Sequence, residues 1–455
     1  LECGTLDVPI DWDEPHGSMT TIGFQRLNAS NATARIGPLF FNPGGPGTAA
    51  STFINRTALG ELIFGDTINE HFDLIGPDPR GVGTSSPIKC DPNAWNNRVS
   101  MFPTTEAEWT ELVAWNEAFG NSCRNLTGSL IEHVDTLSNV KDWEALRVAL
   151  GGEKLNYLGL SYGTLLGATY AELYPQNIRA MVLDGNMDHS QSEVSTLVAA
   201  STTYDAVLGK FAEWCESNST CALYGQDVLQ VWDDLVAAAD ITPIPAPECE
   251  AAGTCYPNVT GADIRSNSQS FVIFEETNVP FGLPGWAYLA SALNASLHGD
   301  ASQLSSGLAT SETYAGFPSY PVLCIEWTHN TKTLSEMLYK EQLAKTVAPH
   351  TQGAGGTWRF QSNCIGWPMP IQYPQGYYKS SIAEAPPILM VNSLYDPETA
   401  FIWANGALAQ IPSANLLVRN GSGHTSYFLF GEATELMQNY LVTLEQPAPN
   451  TVVNS

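Results

Sequence analysis

The chain has 455 residues, enough for two domains or for one large domain with an insertion. Hydrophobic residues make up 44% and charged residues only 15%, while 47 acidic against 19 basic side chains leave a formal charge of −28. That balance excludes a nucleic-acid partner, whose phosphates need a basic face, and docking on an anionic membrane. It fits an acid-tolerant extracellular protein, since protonation of carboxylates at acid pH would remove part of the self-repulsion.

Residues 1–37 alternate loosely between apolar and polar, which predicts two antiparallel strands at a sheet edge. Residues 36–42 form a hydrophobic strand that runs into Pro43-Gly44-Gly45-Pro46-Gly47, a loop almost free of side chains. A second strand, 71–76, ends in Pro77-Asp78-Pro79-Arg80-Gly81. Residues 107–121 and 139–150 read as helices. The latter places Val140, Trp143, Leu146 and Leu150 on one face and stops at Gly151-Gly152. A short apolar run then enters Gly159-Leu160-Ser161-Tyr162-Gly163, and a helical pattern leaves it, reaching about Tyr174. Residues 178–183 are a further strand, ending at Asp184-Gly185. The repetition of strand and helix predicts an α/β fold with a mostly parallel central sheet flanked by helices.

From about residue 190 the rhythm changes. Residues 193–218 and 225–239 look helical, a Pro- and Cys-rich stretch covers 242–257, and helical segments continue to about 347. Residues 348–380 are rich in Gly, Pro and aromatics. We read 190–380 as a large, mainly helical cap inserted between two parts of one core, 1–189 and 381–455. Its aromatics Phe271, Phe274, Trp286, Trp327, Trp358 and Trp367 are candidates for a pocket lining or for the cap's own core. The sheet resumes at 387–393, followed by Leu394-Tyr395-Asp396-Pro397-Glu398-Thr399 and a helix over about 398–409. A strand at 415–418 leads into Arg419-Asn420-Gly421-Ser422-Gly423-His424. A helix at 430–444 and a Pro-rich tail close the chain.

Nine cysteines and eight Asn-x-Ser/Thr sequons point to a glycosylated secretory protein, carrying N-linked glycans. The sequons start at Asn28, Asn31, Asn55, Asn125, Asn218, Asn258, Asn294 and Asn420. Cysteine spacing fits local bridges: Cys90–Cys123, Cys215–Cys221, Cys249–Cys255 and Cys324–Cys364. Cys3 is left over, for a partner upstream of Leu1. Neither a signal peptide nor a membrane-spanning apolar run is present, so a signal is expected to have been removed or left out of this sequence.

Gly159-x-Ser161-x-Gly163 between a strand and a helix is the nucleophile-elbow pattern, in which a tight turn pushes a serine hydroxyl out of the sheet. An elbow serine needs a base, and the base needs a carboxylate that fixes its tautomer and stabilises the imidazolium. The order serine, acid, histidine gives Ser161, Asp396 and His424, each following a predicted strand at the same sheet end. Asp184, at the end of the preceding strand, is the rival acid. The oxyanion hole is expected from backbone N–H groups, those of Tyr162 and of Gly45, with Gly44 as alternate. Arg80 either anchors the oxyanion loop or contacts substrate. Asp188-His189 invites a metal reading but lacks spaced companions, so a polar turn is preferred. The chemistry calls for no cofactor and no metal.

Together the stretches 42–47, 76–85, 159–164, 182–185, 392–399 and 421–426 resemble the tripeptidyl-aminopeptidase and prolyl-iminopeptidase branch of the α/β hydrolases. The resemblance runs over nearly the whole chain and is weakest in the cap; residues 360–445 resemble that branch's C-terminal domain. It implies a serine exopeptidase, in a secreted fungal member, that removes a residue or short peptide from a free N-terminus. Asn42-Pro43 stands where the small iminopeptidases carry a histidine before the glycines, which favours the tripeptidyl-like subgroup. The relatives hold the substrate ammonium with acidic cap residues. Cys324-Ile325-Glu326-Trp327 resembles an element of that subgroup, which makes Glu326 the first candidate for the amine and Glu275 and Glu276 the second. A carboxylesterase or lactonase using the same triad is the rival reading, since an acyl-transfer triad serves amides and esters alike. The substrate is therefore a peptide or a small ester, and the oligomeric state is left open.

Overall fold

The computed structural model describes residues 1–275 and 285–454. Eleven strands are present among them: β1 Glu2–Pro9, β2 Met19–Leu27, β3 Gly37–Asn42, β4 Phe72–Pro77, β5 Leu155–Leu160, β6 Ile178–Asp184, β7 Ile244–Pro245, β8 Asn258–Val259, β9 Ile388–Tyr395, β10 Ala414–Ser422 and β11 Val452–Val453. Nine of them form one sheet in the order β1-β2-β4-β3-β5-β6-β9-β10-β11. The first two are an antiparallel hairpin, and β2 pairs antiparallel to β4. Every later pairing is parallel.

Alternation along the strands explains why both faces are covered. Leu39 and Phe41, Leu389 and Val391 enter the core on one face of the sheet. Phe40, Ile388 and Met390 between them enter the core on the other. The chain lays β4 on one side of β3 and β5 on the other, so the order reverses between β3 and β5. At such a point the loops after two parallel strands diverge and leave a crevice at their carboxyl ends.

The cap elements run from the Glu193–Ser217 helix to the Gly356–Asn363 helix. Much of the cap has its own core, in which Leu208, Phe211, Trp232, Trp286 and Leu293 are buried together. The structure joins Cys90 to Cys123, Cys215 to Cys221, Cys249 to Cys255 and Cys324 to Cys364, and leaves Cys3 free and exposed. None of the eight sequon asparagines is buried. No helix among the described residues is long and apolar enough to cross a membrane.

Three local expectations are corrected. The helix expected over about 398–409 begins only at Phe401, because Glu398 and Thr399 turn their N–H groups back onto the Asp396 carboxylate. The strand expected at 415–418 is longer, reaching Ser422. The Pro-rich tail returns to the sheet, with Val452 opposite Val418 and Val453 opposite Arg419.

Candidate active site

Ser161 stands between β5 and the Tyr162–Leu173 helix with φ 56° and ψ −124°, a strained conformation for a residue with a side chain. The turn is held from both sides. Ser161 N–H donates to the Asp184 carbonyl at 2.9 Å, and Thr164 N–H donates to the Ser161 carbonyl at 2.8 Å. The motif's glycines permit close approach: a Cβ on Gly163 would stand 2.7 Å from the Asn42 carbonyl oxygen. Elbow and oxyanion loop therefore meet backbone to backbone.

Gly44, with φ 94°, lies so near that a Cβ there would be 2.7 Å from the Ser161 Cβ. Its own N–H is occupied, donating to Asn42 Oδ1 at 2.9 Å. Among the described residues the N–H groups of Gly45 and Tyr162 have no acceptor. Of the two glycines expected to donate, the geometry leaves Gly45.

His424 Nδ1 lies 2.9 and 3.0 Å from the two Asp396 oxygens. The carboxylate is fully buried and also accepts from the N–H groups of Glu398 (2.9 Å), Thr399 (2.7 Å) and Thr425 (3.2 Å) and from Thr399 Oγ1 (2.8 Å). Burial by itself would raise the Asp396 carboxyl; the charge and hydrogen bond of His424, with the Thr399 and Glu398 N–H groups, hold it below the usual aspartate range. Burial would likewise lower the His424 imidazole, but Asp396 opposes it and raises it above its ordinary value. The ring packs against Gly185, where a Cβ would stand 3.5 Å from His424 Cε1, and so lies beside the turn that holds Ser161. Ser161 Oγ makes no hydrogen bond among the described residues and opens into the cavity.

The rival acid has another task. Asp184 Oδ2 accepts from the N–H groups of Ser426 (2.6 Å) and Tyr427 (2.8 Å), just beyond His424. Burial pushes its carboxyl up to about 6. Arg419, a residue not anticipated, donates to the carbonyls of Ser422 (3.0 Å), Gly423 (3.0 Å) and Thr425 (3.3 Å) from the other side. These two buried groups fix the histidine loop without touching the imidazole hydrogen bond.

A cavity of about 110 Å³ opens over Ser161, with Gly45, Pro46, Thr399, Trp327, Phe360 and Trp403 among its lining residues. Of the six cap aromatics singled out in the sequence, only Trp327 lines it. Phe271 and Trp286 pack in the cap core, Trp358 is buried in a smaller cluster, Phe274 is buried, and Trp367 packs against the core of the sheet's other face.

The amine candidates are placed elsewhere. Glu326 is fully buried and does not line the cavity. Its Oε1 accepts from Thr136 N–H at 2.5 Å and from the Tyr162 hydroxyl at 2.7 Å, pinning the Ser319–Glu326 helix of the cap to the elbow helix. Burial pushes its carboxyl up to about 8. Glu275 is exposed and outside the cavity lining, and Glu276 lies outside the described residues. The acidic side chains that do line it are Glu193 and Glu398. Glu398 sits inside the 392–399 stretch, so the signal was present; Glu193 opens a cap helix with nothing local to mark it.

Arg80 is fully buried and forks onto Asp142 at 2.6 and 2.8 Å, with further bonds to the Pro9, Ile10 and His133 carbonyls. It ties the N-terminal hairpin to the Thr136–Ala149 helix rather than holding the oxyanion loop or meeting substrate. His189 is a buried ring between Trp327 and Tyr373, with centroids 4.6 and 4.5 Å away. Asp188 accepts from Ser190, Gln191 and Gln410, as a polar turn would.

Residues 37–430 match the family model of the alpha/beta hydrolase fold. Among curated proteins the chain is similar to the serine protease Hip1 of Mycobacterium tuberculosis, 29% identical over 453 residues that cover 94% of this chain and 82% of that protein. It is similar to the tripeptidyl aminopeptidase of Streptomyces coelicolor, 26% identical over 438 residues covering 93% and 77%. It is also similar to carboxylesterase B of M. tuberculosis, 28% identical over 447 residues covering 94% and 81%.

Proposed function

The chain belongs to the alpha/beta hydrolase fold family and is a serine hydrolase, and from that premise we propose that it is a secreted serine exopeptidase releasing short peptides or single residues from free N-termini. Ser161 Oγ attacks the scissile carbonyl as its proton passes to His424 Nε2. The oxyanion accepts from the Gly45 and Tyr162 N–H groups. The tetrahedral adduct collapses to an acyl-enzyme when His424 returns the proton to the leaving amine, and water, activated by the same imidazole, then releases the acid. Asp396 holds Nδ1 and stabilises the imidazolium. The free Ser161 hydroxyl turns to the imidazole when substrate fills the cavity, since such contacts tighten in the Michaelis complex.

The observation that carries this reading is the 2.9 Å bond from His424 Nδ1 to Asp396, set beside a strained serine that opens into a cavity roofed by the cap. Cap residues along one side of the cavity support exopeptidase over endopeptidase action, because they narrow the room for a chain that runs on past the acyl segment. The disulfides and the unburied sequons support secretion with N-linked glycans.

A second reading, carboxylesterase or lactonase, is favoured by the apolar lining of Leu323, Trp327, Phe360 and Trp403. One panel separates the two. Rates on peptide anilides with a free or an acetylated N-terminus are compared with rates on p-nitrophenyl esters and lactones. The exopeptidase reading expects the free-amine anilide to be turned over far faster than its acetylated twin; equal rates would leave the esterase. Ser161→Ala is expected to stay folded and lose roughly 10⁴-fold or more of kcat on every substrate hydrolysed. Normal turnover by that variant would end the assignment of the nucleophile.

A further inference from the structure

Binding a free N-terminus means taking an ammonium out of water, at a cost of several kcal/mol unless an anion meets it. The cavity over Ser161 offers two carboxylates among the described residues, Glu193 and Glu398. They are not equivalent.

Glu193 is already spoken for. Lys340 Nζ lies 2.7 Å from its Oε1, His329 Nδ1 lies 3.7 Å away, and Asn330 N–H donates to its Oε2 at 3.2 Å. Burial would raise its carboxyl, but His329 and Lys340 hold it below the ordinary glutamate range, as an ion-paired group should be. A substrate ammonium there would have to displace Lys340.

Glu398 is different. Its carboxylate has no ion pair and no hydrogen bond among the described residues. It stands beside the first turn of the Gly356–Asn363 helix, where a Cβ on Gly356 would be 3.7 Å from Glu398 Oε2. It sits two residues after Asp396, on the loop that also carries Thr399. Burial pushes its carboxyl up to about 7; Asp396 adds to the rise, while His424 and Arg359 oppose it. A cation arriving beside it would relieve that unfavourable burial, which Lys340 already does for Glu193.

We propose that Glu398 is the group that holds the substrate α-ammonium, so that the amine anchor lies on the core, on the loop of the triad acid, and not on the cap. The assignment rests on the exopeptidase reading above. It also defines a substrate class. Anchor and nucleophile line one cavity of about 110 Å³, which suits a short acyl segment with an unblocked amine.

The test is a selectivity ratio, kcat/KM on a free-amine peptide anilide divided by kcat/KM on its N-acetyl twin. Glu398→Gln keeps the shape and removes the charge. It is expected to lower that ratio about 30-fold, chiefly through KM of the free-amine substrate, as for loss of one charge-assisted hydrogen bond. If Glu398 acted only as an electrostatic neighbour of His424, both substrates would slow together and the ratio would stay, which overturns the assignment. A high wild-type ratio that survives in Glu398→Gln overturns it as well, leaving the exopeptidase reading intact. A wild-type ratio near one removes the exopeptidase reading and the assignment with it. Glu398→Asp keeps the charge with a shorter reach, and its ratio is expected to fall between the two. It carries the test should the glutamine variant melt below the assay temperature.

Discussion

The two walls of the cavity are built on different principles. On the core side nearly every polar group near the chemistry is committed. Asp396 receives three N–H groups, a hydroxyl and an imidazole; Arg419 grips three carbonyls of the histidine loop; Asp184 takes two N–H groups; Asn42 takes Gly44. On the cap side the lining is largely side-chain surface, from Leu323, Trp327, Thr357 and Phe360, and both ring nitrogens of His329 lack a hydrogen bond among the described residues. Dipoles aimed at developing charge must be fixed before the reaction, so the core side is wired. A wall that only has to match the shape of a substrate needs contact area, and the cap supplies that. Changes to these committed core groups should therefore strike kcat, and changes in the cap KM; Glu398, the uncommitted carboxylate of the core side, is the exception and acts on KM.

The sharpest way to break that division is Asp396→Asn. With the amide oxygen in the place of Oδ1 the Glu398 and Thr399 N–H groups keep their acceptor, so that turn keeps its form, while the amide nitrogen gives up the Thr425 N–H and the imidazole loses its charged partner and its fixed tautomer. We expect kcat to fall by roughly 10⁴ with KM little altered, measured by steady-state kinetics beside a melting curve. The pH profile carries a second signature. His424 is raised by Asp396, so wild-type activity climbs with pH as that imidazolium loses its proton. Without the carboxylate the imidazole pKa drops, and the acid limb of whatever activity is left should move to lower pH. An unmoved limb would mean that the carboxylate does not act through His424.

Trp327→Ala tests the other wall. Trp327 lines the cavity and packs edge-on against His189, which is itself stacked on Tyr373. Removing the indole takes apolar surface from the substrate and nothing from the triad. About tenfold in kcat/KM is expected, carried by KM and differing between substrates of different acyl size. A uniform fall in kcat would show that cap and core are not separable in this way.

That division also decides how much was legible in the sequence. The loops around Ser161, Asp396 and His424 are local devices, strand ends followed by Gly-, Pro- or Asp-rich turns, so strand context and the order serine, acid, histidine put them at one end of the sheet. The sequence offers both Gly44 and Gly45 and prefers Gly45; in the structure the Gly44 N–H is taken up by Asn42. What escaped is what only packing decides. Glu326 has a suggestive motif around it, yet the direction of its helix turns it inward to Thr136 and Tyr162, away from the cavity. Arg80 follows a strand that ends at the same sheet end as the oxyanion loop, but it reaches Asp142, 62 residues on, and the end of the N-terminal hairpin. The Ala50–Ala58 helix starts at Ala49 with no side-chain cap, so the usual start signal was missing. The final strand is two residues long, too short for any period to show. Glu193 and Glu398 became distinguishable only when Lys340, 147 residues from the first, was seen beside it.

The seam between the walls offers the smallest effect and the most specific sign. Glu326 belongs to the cap helix Ser319–Glu326, and its Oε1 is held by Thr136 and by the hydroxyl of Tyr162, the residue whose N–H is proposed to meet the oxyanion. Its Oε2 has no partner among the described residues, and burial raises the carboxyl from 4.5 to about 8. The folded state thus keeps a proton that the unfolded chain releases at ordinary carboxylate pH. The stability that this contributes is present in full below the unfolded value and is lost as pH rises towards 8. Glu326→Gln replaces the neutral acid by a neutral amide of the same shape and deletes the titration. Between pH 5 and pH 8 the melting temperature of the variant should fall by less than that of the wild type, with the two curves closest at pH 5 and the variant the more stable at pH 8. Parallel curves would mean that Glu326 keeps its charge in the fold, and that the cap is held to the elbow helix by a carboxylate instead of by a neutral acid.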